Sequence, residues 1–364
     1  MRILVSGGGT GGHIYPALAL VRAFKNIYPD TEVLYIGTEN GLEKEIVSRE
    51  GLPFKSIEIA GFKRSLSLDN VKTIMKFLKS VAVSKQYIKE FKPDIVIGTG
   101  GYVCGPVVYS AAKLKIPTIV HEQNSLPGVT NKFLARYVDK VAICFEEARK
   151  YFPESKVVLT GNPRASEVVK TTKIGKAALG LNPNKKTLMI SGGSRGAEPI
   201  NQAVIDAVIH FEKANYEVIF VTGNKHYEEI NKQINEKGQL KNVKVLPFIN
   251  NMPQYLVHTD LFVGRSGATF LSEITSLGVP SILIPSPYVT ANHQEFNARS
   301  VTDHGGGVLI LEKDLNGDVL FKTVESIMSD ETGRKQMQNT AKQLGIQDAA
   351  QRMMTTINEI IEKK

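Results

Sequence analysis

Whatever chemistry this 364-residue chain performs rests on three glycine-rich stretches and a few polar clusters. The first stretch is Gly7-Gly8-Gly9-Thr10-Gly11-Gly12-His13, set between an apolar run, Ile3-Leu4-Val5, and a helix-period segment from Pro16. Strand, glycine turn and helix in that order make a concave nest of backbone N–H groups, which suits phosphate or another anion. Gly98-Thr99-Gly100-Gly101-Tyr102-Val103-Cys104-Gly105-Pro106 repeats the device, and Gly192-Gly193-Ser194-Arg195-Gly196-Ala197 repeats it again. The first stretch also satisfies G-x-G-x-x-G, alone a weak dinucleotide signal. A nicotinamide reading wants an acid near the end of the second strand, and Glu39 keeps it open. A dehydrogenase needs one such loop. Three suggest phosphates in more than one place, or two phosphorylated substrates.

His13 stands where a helix begins. Positive potential there favours the neutral imidazole, a candidate general base. His121-Glu122-Gln123-Asn124 ends another apolar run, so its side chains are expected at a cleft. Arg265-Ser266-Gly267-Ala268-Thr269-Phe270-Leu271-Ser272-Glu273 can open a helix, with Glu273 about two turns in. A carboxylate facing the cleft accepts two hydrogen bonds from vicinal hydroxyls, as on ribose. Downstream, residues 285–297 form an amide-rich loop holding Asn292, His293, Gln294 and Asn297. Asn and Gln read neutral hydroxylated ligands such as sugars through paired donors and acceptors.

These groups must be held by strands and helices, and the apolar pattern supplies both. Short, nearly all-apolar runs at 3–6, 33–37, 54–59, 95–99, 118–121, 141–144 and 157–160 alternate with helical segments. Strands of that kind are buried on both faces, as in a parallel sheet. The turn Thr160-Gly161-Asn162-Pro163-Arg164 interrupts the series. It restarts with 187–191, 218–222, 243–246, 261–264, 281–285 and 307–311. The expected fold is therefore α/β, two Rossmann-like doubly wound parallel-sheet domains with a cleft between them. The first domain spans 1–162 and the second 163–340. The segment 341–364 forms a last helix, whose stripe of Ala349, Ala350, Met353, Met354, Ile357, Ile360 and Ile361 can pack back on the first domain.

Composition bounds the rest. Hydrophobic residues make up 42% and charged residues 22%, ordinary for a globular protein. Cys104 and Cys144 have no ligand spacing and read as two buried free thiols in a reducing compartment. Met1-Arg2 runs straight into a strand-like segment with no leader pattern. No window reaches the ~18 apolar residues of a spanning helix. The expectation is a cytoplasmic chain that does not cross a membrane. The net charge is +9, and residues 1–162 hold 22 Lys and Arg against 15 Asp and Glu. Residues 61–92 alone hold Lys63, Arg64, Lys72, Lys76, Lys79, Lys85, Lys89 and Lys92 against Asp69 and Glu90. Val71, Ile74, Met75, Leu78 and Val81 recur among them at helical spacing. A basic amphipathic helix can lie on an anionic bilayer, and an ordinary surface helix with its stripe in the core is the alternative. No nucleic-acid motif is present.

Gly7–His13, Gly98–Pro106, His121–Asn124, Gly161–Arg164, Gly192–Ala197, Arg265–Glu273 and Asn292–Ala298 stand together, in order, as in one known family. The whole chain resembles the peptidoglycan N-acetylglucosaminyltransferases, family 28 of the GT-B glycosyltransferases, in spacing most like those of Gram-positive bacilli. The resemblance implies an inverting hexosyltransferase that moves GlcNAc from UDP-GlcNAc to the C4 hydroxyl of the muramoyl sugar of lipid I, giving lipid II. It implies no cofactor and no obligatory metal. It puts UDP-GlcNAc on the second domain: Ile249 at the uracil, Glu273 on the ribose hydroxyls, and Ser194 with Ala268, Thr269, Phe270, Leu271 and Ser272 at the diphosphate. Arg164 joins them at the nucleotide, and Gln294 with Asn297 reads the sugar. Thr10, Gly11, Gly12 and Asn124 approach from the first domain. His13 is the acceptor base, with Glu122 and Tyr102 at catalytic cleft positions. Gly9, Gly100 and Gly101 face the acceptor diphosphate. Many relatives carry an extra residue between Pro163 and Arg164, and some have Gln where His293 stands. The implied partners are UDP-GlcNAc, lipid I, an anionic membrane surface on the cytoplasmic side of the cell membrane, and proteins of cell-wall synthesis and division, with no nucleic acid.

Three other readings share parts of this pattern. A UDP-GlcNAc 2-epimerase would use the donor site but needs no membrane patch. A nicotinamide oxidoreductase would use the first loop and leave two unexplained. A membrane-bound sugar-nucleotide sensor would bind without turnover.

Overall fold

The computed structural model describes residues 1–59 and 68–364, with side chains of the helix that starts at Leu68 described from Thr73 onward. Lys63 and Arg64, and the side chains of Asp69, Val71 and Lys72, lie outside the described residues. The chain divides into two compact units. One comprises Met1–Glu167 with Ile346–Lys364, the other Val168–Gly345.

The first unit is built on seven parallel strands: β1 (Arg2–Ser6), β2 (Glu32–Thr38), β3 (Phe54–Ile57), β4 (Ile95–Gly98), β5 (Thr118–Glu122), β6 (Lys140–Ile143) and β7 (Val157–Leu159). Their order is β3-β2-β1-β4-β5-β6-β7. Ile3 pairs with Val33 on one side and Ile95 on the other. Both faces are covered, as continuous apolar runs require. Ile3 and Val5 enter one core with Val33, Tyr35, Ile95 and Ile97, and Leu4 enters the opposite core with Leu34, Ile36 and Val96. The alternation is the two-residue period of a strand.

Helices α1 (Gly11–Ile27), α2 (Leu42–Arg49), α3 (Leu68–Phe91) and α4 (Cys104–Lys113) follow the first four strands. The last helix, Ala349–Glu362, sends Met353, Met354, Ile357 and Ile360 into the core shared by α1 and β1. Full burial of each large side chain contributes roughly 1.5–3 kcal/mol, enough to dock a 14-residue helix. Its entry is tied down as well. Ser166 Oγ donates to Gln347 O at 2.8 Å and accepts from Ala350 N at 3.0 Å.

The second unit has six parallel strands: β8 (Thr187–Ser191), β9 (Glu217–Val221), β10 (Val243–Leu246), β11 (Leu261–Gly264), β12 (Ser281–Leu283) and β13 (Gly307–Leu309). Their order, β10-β9-β8-β11-β12-β13, repeats the first six places of the other sheet. All thirteen expected apolar runs are strands. Several end one or two residues early because the last residues already turn into a loop. At β12 the next residues include Pro285, which has no N–H to extend the ladder.

In each sheet the chain leaves the first strand toward one edge and later returns to its other side. That reversal separates the loops at the carboxyl ends of the two central strands and makes a crevice there. In the first unit the crevice lies beyond β1 and β4. In the second it lies beyond β8 and β11. The glycine stretches follow β1, β4 and β8, so the topology alone brings them to these positions.

α3 departs from an ordinary surface helix. Val81 and Ile88 are buried, but Ile74, Met75 and Leu78 are 50%, 65% and 62% exposed. Part of the apolar stripe therefore faces outward beside Lys76 and Lys79, and Lys76 Nζ lies 2.9 Å from Glu58. Among the described residues no helix is long and apolar enough to cross a membrane.

Candidate active site

His13 sits in the first turn of α1, after Thr10 at the N-cap. Its Nδ1 lies 2.8 Å from Gly8 O and 3.3 Å from Thr10 Oγ1. A carbonyl only accepts, so Nδ1 carries the proton and the lone pair resides on Nε2. Thr99 Oγ1 donates to the His13 carbonyl at 2.7 Å, tying the second loop to the first. Gly100 has φ +104°, and a Cβ there would stand 2.7 Å from His13 Cδ2. Gly101 has φ +83°, and its Cβ would meet Gly8 O at 2.3 Å. Glycine at both positions is thus what lets the two loops close on His13. Tyr102, 39% exposed, stands at the lip of this pair.

An accounting of the loop amides narrows what the first crevice can hold. Gly8 N donates to Gly100 O at 3.2 Å, Gly9 N to Glu43 Oε2 at 3.2 Å, and Gly100 N to Cys104 Sγ at 3.2 Å. Of the three glycines expected at an acceptor diphosphate, Gly9 and Gly100 therefore aim their N–H groups into the protein. Gly101 packs on Gly8. A dinucleotide pyrophosphate would find the Gly8 and Gly9 amides taken. Glu39 is exposed and ion-paired with Lys44, away from the role a nicotinamide site requires.

The position of His121–Asn124 at a strand end predicts side chains at a cleft. The structure turns most of this cluster inward. His121, Glu122 and Gln123 are each at most 2% exposed. His121 Nε2 donates to Gly161 O at 3.0 Å, and its Nδ1 accepts from Gln123 Nε2 at 2.9 Å. Burial pushes this imidazole down to about 4, partly opposed by the Gly161 hydrogen bond. Gln123 Nε2 also donates to Thr99 O at 2.7 Å, behind the glycine loop. Glu122 accepts from Asn124 N, Asn124 Nδ2, Gly128 N and Asn131 Nδ2 at 2.9–3.2 Å. A carboxylate with four donors organises the 124–131 loop and presents half-buried Asn124. Its oxygens are engaged rather than poised to take a proton.

In the second unit the crevice beyond β8 and β11 carries Ser194, exposed on its loop, and the helix Ala268–Leu277, whose N-cap is Gly267. Ala268, Thr269 and Phe270 supply first-turn amides, where the helix dipole favours an anion. Leu271 is fully buried, so its side chain belongs to the core. Thr269, Phe270 and Ser272 are half-buried, and Ser272 Oγ is turned back to Ala268 O. Glu273 is 6% exposed in the second turn. Ile249 is 5% exposed, just after β10.

The amide-rich loop has an internal frame. Gln294 Oε1 accepts from Ser286 N at 2.9 Å, and its carbonyl accepts from Ser266 Oγ at 2.7 Å. Asn297 is fully buried and donates to Ser266 O at 3.3 Å. Asn297 thus braces the segment between β11 and the next helix, while half-buried Gln294 lies nearer the surface. His293 Nδ1 donates to Thr290 O at 2.9 Å and caps the turn before it.

Arg164 lies at the start of the helix Pro163–Val169 and ion-pairs with Glu167 at 2.5 Å. Glu167 also accepts two hydrogen bonds from Arg22, at 2.6 and 3.0 Å. The two thiols are buried. Burial pushes Cys104 up to about 12, and Cys144 lies well above the ordinary thiol range for the same reason. Neither is a nucleophile. Among the described residues no cluster of His, Cys, Asp and Glu could hold a metal ion. Sequence reasoning passed over Glu43 and Asn131, which fix the site loops. Their only sequence signal is a polar side chain within two or three residues of an apolar run.

Models of known families match both halves of the chain. The glycosyltransferase family 28 N-terminal domain matches residues 3–143, and the family 28 C-terminal domain matches residues 187–353. A Bacillus cereus protein named UDP-N-acetylglucosamine–N-acetylmuramyl-(pentapeptide) pyrophosphoryl-undecaprenol N-acetylglucosamine transferase 1 is 60% identical, over 100% of both chains. A Bacillus pumilus transferase of the same designation is 59% identical over 99% of each. Among solved structures, Acinetobacter baumannii MurG is 26% identical, with a TM-score of 0.79 over 98% of this chain and 99% of that one.

Proposed function

The chain belongs to glycosyltransferase family 28, and on that premise we propose that it moves N-acetylglucosamine from UDP-N-acetylglucosamine to the C4 hydroxyl of the muramoyl sugar of lipid I, yielding lipid II for peptidoglycan. The observation that carries this reading is identity of 60% along the entire chain to a transferase so named. The GT-B fold of two parallel-sheet units fits it. An epimerase or an oxidoreductase is not favoured by these relatives.

In the proposed reaction His13 Nε2 takes the proton from the acceptor C4 hydroxyl as that oxygen attacks the anomeric carbon. The bond from that carbon to the diphosphate breaks on the opposite face, UDP departs with the electron pair, and configuration inverts. The Nδ1–H to Gly8 bond supports this role, since it leaves the lone pair on Nε2. Tyr102 borders the reacting groups, and Asn124, which Glu122 holds in place, approaches the donor from the first unit. On the second unit, Glu273 takes the ribose hydroxyls, Ile249 the uracil and Gln294 the sugar. Ser194 and the amides from Ala268 onward meet the diphosphate, whose charge grows as UDP leaves. Arg164 adds positive charge by exchanging its Glu167 partner for the nucleotide. The acceptor approaches over Gly9, Gly100 and Gly101, and the lack of side chains at the last two lets the loops close on His13. Thr10, Gly11 and Gly12 approach the donor from the same loop.

The acceptor is membrane-embedded, so the enzyme must work at a surface. The outward-facing Ile74, Met75 and Leu78 with Lys76 and Lys79 support peripheral docking at the cytoplasmic face of the cell membrane. Association there with cell-wall synthesis and division proteins belongs to the same proposal. The test is incubation with labelled UDP-N-acetylglucosamine and a lipid I analogue. Acceptor-dependent label in the lipid supports transfer. UDP release without acceptor, or label confined to free sugar, overturns it.

A further inference from the structure

Glu43 is a fully buried carboxylate on α2 that the reaction as described does not use. Its Oε1 accepts from Thr38 N at 2.9 Å and Thr38 Oγ1 at 2.7 Å, and its Oε2 accepts from Gly9 N at 3.2 Å. The last bond matters because of where that N–H sits. Gly9 N–H and Gly8 C=O belong to one peptide group. The group is planar and trans, so its N–H and C=O point in opposite directions and turn together. Glu43 grips one end, and His13 Nδ1 donates to the other at 2.8 Å.

A peptide between two glycines rotates at little steric cost. Turned over, it would offer an N–H to His13 Nδ1. That nitrogen would then accept, and the ring proton would move to Nε2. The imidazole would lose its basic nitrogen on the reacting side. An ionised carboxylate only accepts hydrogen bonds, so it holds the N–H and repels the C=O of a flipped peptide.

We propose that Glu43 is a positioning residue for His13: by fixing the Gly8–Gly9 peptide it sets the histidine tautomer that can take the acceptor proton. This rests on His13 being the base, but its first readout does not depend on turnover. Glu43→Gln keeps the shape and adds an NH₂ that can donate to the flipped carbonyl, so both peptide orientations become acceptable. The control is Thr38→Val, which removes a hydrogen bond from the same carboxylate and leaves the Gly9 contact alone.

The experiment is ¹⁵N NMR of the full-length protein labelled at histidine, with the His13 signals assigned by their loss in His13→Ala. Wild type and Thr38→Val should show a single tautomer, protonated on Nδ1. Glu43→Gln should show a mixture, with kcat reduced about 3- to 10-fold in proportion to the competent fraction and KM for UDP-N-acetylglucosamine unchanged. A mixed tautomer in the wild type overturns the proposal without any variant, so an unfolded Glu43→Gln does not shelter it. An unshifted tautomer in folded Glu43→Gln overturns it too, as does a Thr38→Val that reproduces the mixture. If Glu43→Gln shifts the tautomer while His13→Ala turns over normally, the positioning holds and the assignment of the base falls.

Discussion

His121 donates its Nε2 hydrogen to the carbonyl oxygen of Gly161 at 3.0 Å, joining the end of β5 to the turn after β7. The ring is 1% exposed and neutral. Its partner is a glycine at φ +75°, and a Cβ there would stand 2.6 Å from Ile346 Cβ. One buried histidine therefore braces the turn on which the last segment packs.

That burial has a pH signature. In the unfolded chain His121 takes a proton near 6.5, and in the folded protein only near 4. The unfolded state therefore binds the proton first as pH falls. The stability involved is fully present above about 6.5 and is lost between there and about 4, on the order of 3 kcal/mol. His121→Gln should lower stability at pH 7 yet flatten its decline toward pH 4.5. Urea midpoints at pH 7, 5.5 and 4.5 check this, and parallel declines in the two proteins would refute it.

His13→Ala should reduce kcat by roughly 10²–10⁴-fold, the usual worth of a general base. Binding of UDP-N-acetylglucosamine should barely change, since the residues proposed for it belong mainly to the other unit. Steady-state kinetics with varied donor, and donor binding by calorimetry, separate the two. Turnover near wild type would remove His13 from the role.

Glu273→Ala should raise KM for UDP-N-acetylglucosamine by about 10- to 100-fold, as loss of a charged hydrogen-bonding partner costs roughly 1.5–3 kcal/mol. The 2′-deoxy donor should lose less on the variant than on the wild type. An equal loss on both would mean that the carboxylate does not read the ribose.

The exposed apolar face of α3 makes a separate demand. Replacing Met75 and Leu78 together by Asp should weaken association with anionic vesicles by at least about tenfold, since each buried side chain contributes more than about 1.4 kcal/mol. The same change should leave turnover of a water-soluble acceptor analogue intact. Sedimentation with vesicles gives the answer, and undiminished binding would turn attention to another face of the unit.

Much of the fold was legible because parallel strands buried on both faces must be apolar throughout. Ile3-Leu4-Val5 and Ile95-Val96-Ile97 announce themselves without reference to any neighbour. Glycine loops were legible for a similar reason, since Gly100 and Gly101 adopt backbone angles that other residues avoid. The direction of the polar residues was not. His121 and Gln123 differ from Asn124 only by what surrounds them, and a run of polar residues at a strand end reads the same whether it points out or in. Glu43 was invisible, because a glutamate in the first turn of a helix ordinarily faces water.

By itself the sequence determined which segments are strands, where the glycine turns fall and which polar residues follow them, because period and backbone freedom are local properties. Only the tertiary structure decided what those turns do. The strand order laid the loop after β1 against the loop after β4, and that contact consumed Gly8 N–H on Gly100 O. α2 brought Glu43 beneath Gly9, so two amides of the loop expected to be an anion nest, those of Gly8 and Gly9, are held by the protein, and the Gly8 carbonyl meets His13. A backbone amide has one hydrogen to give, and which acceptor receives it depends on residues far away in the chain.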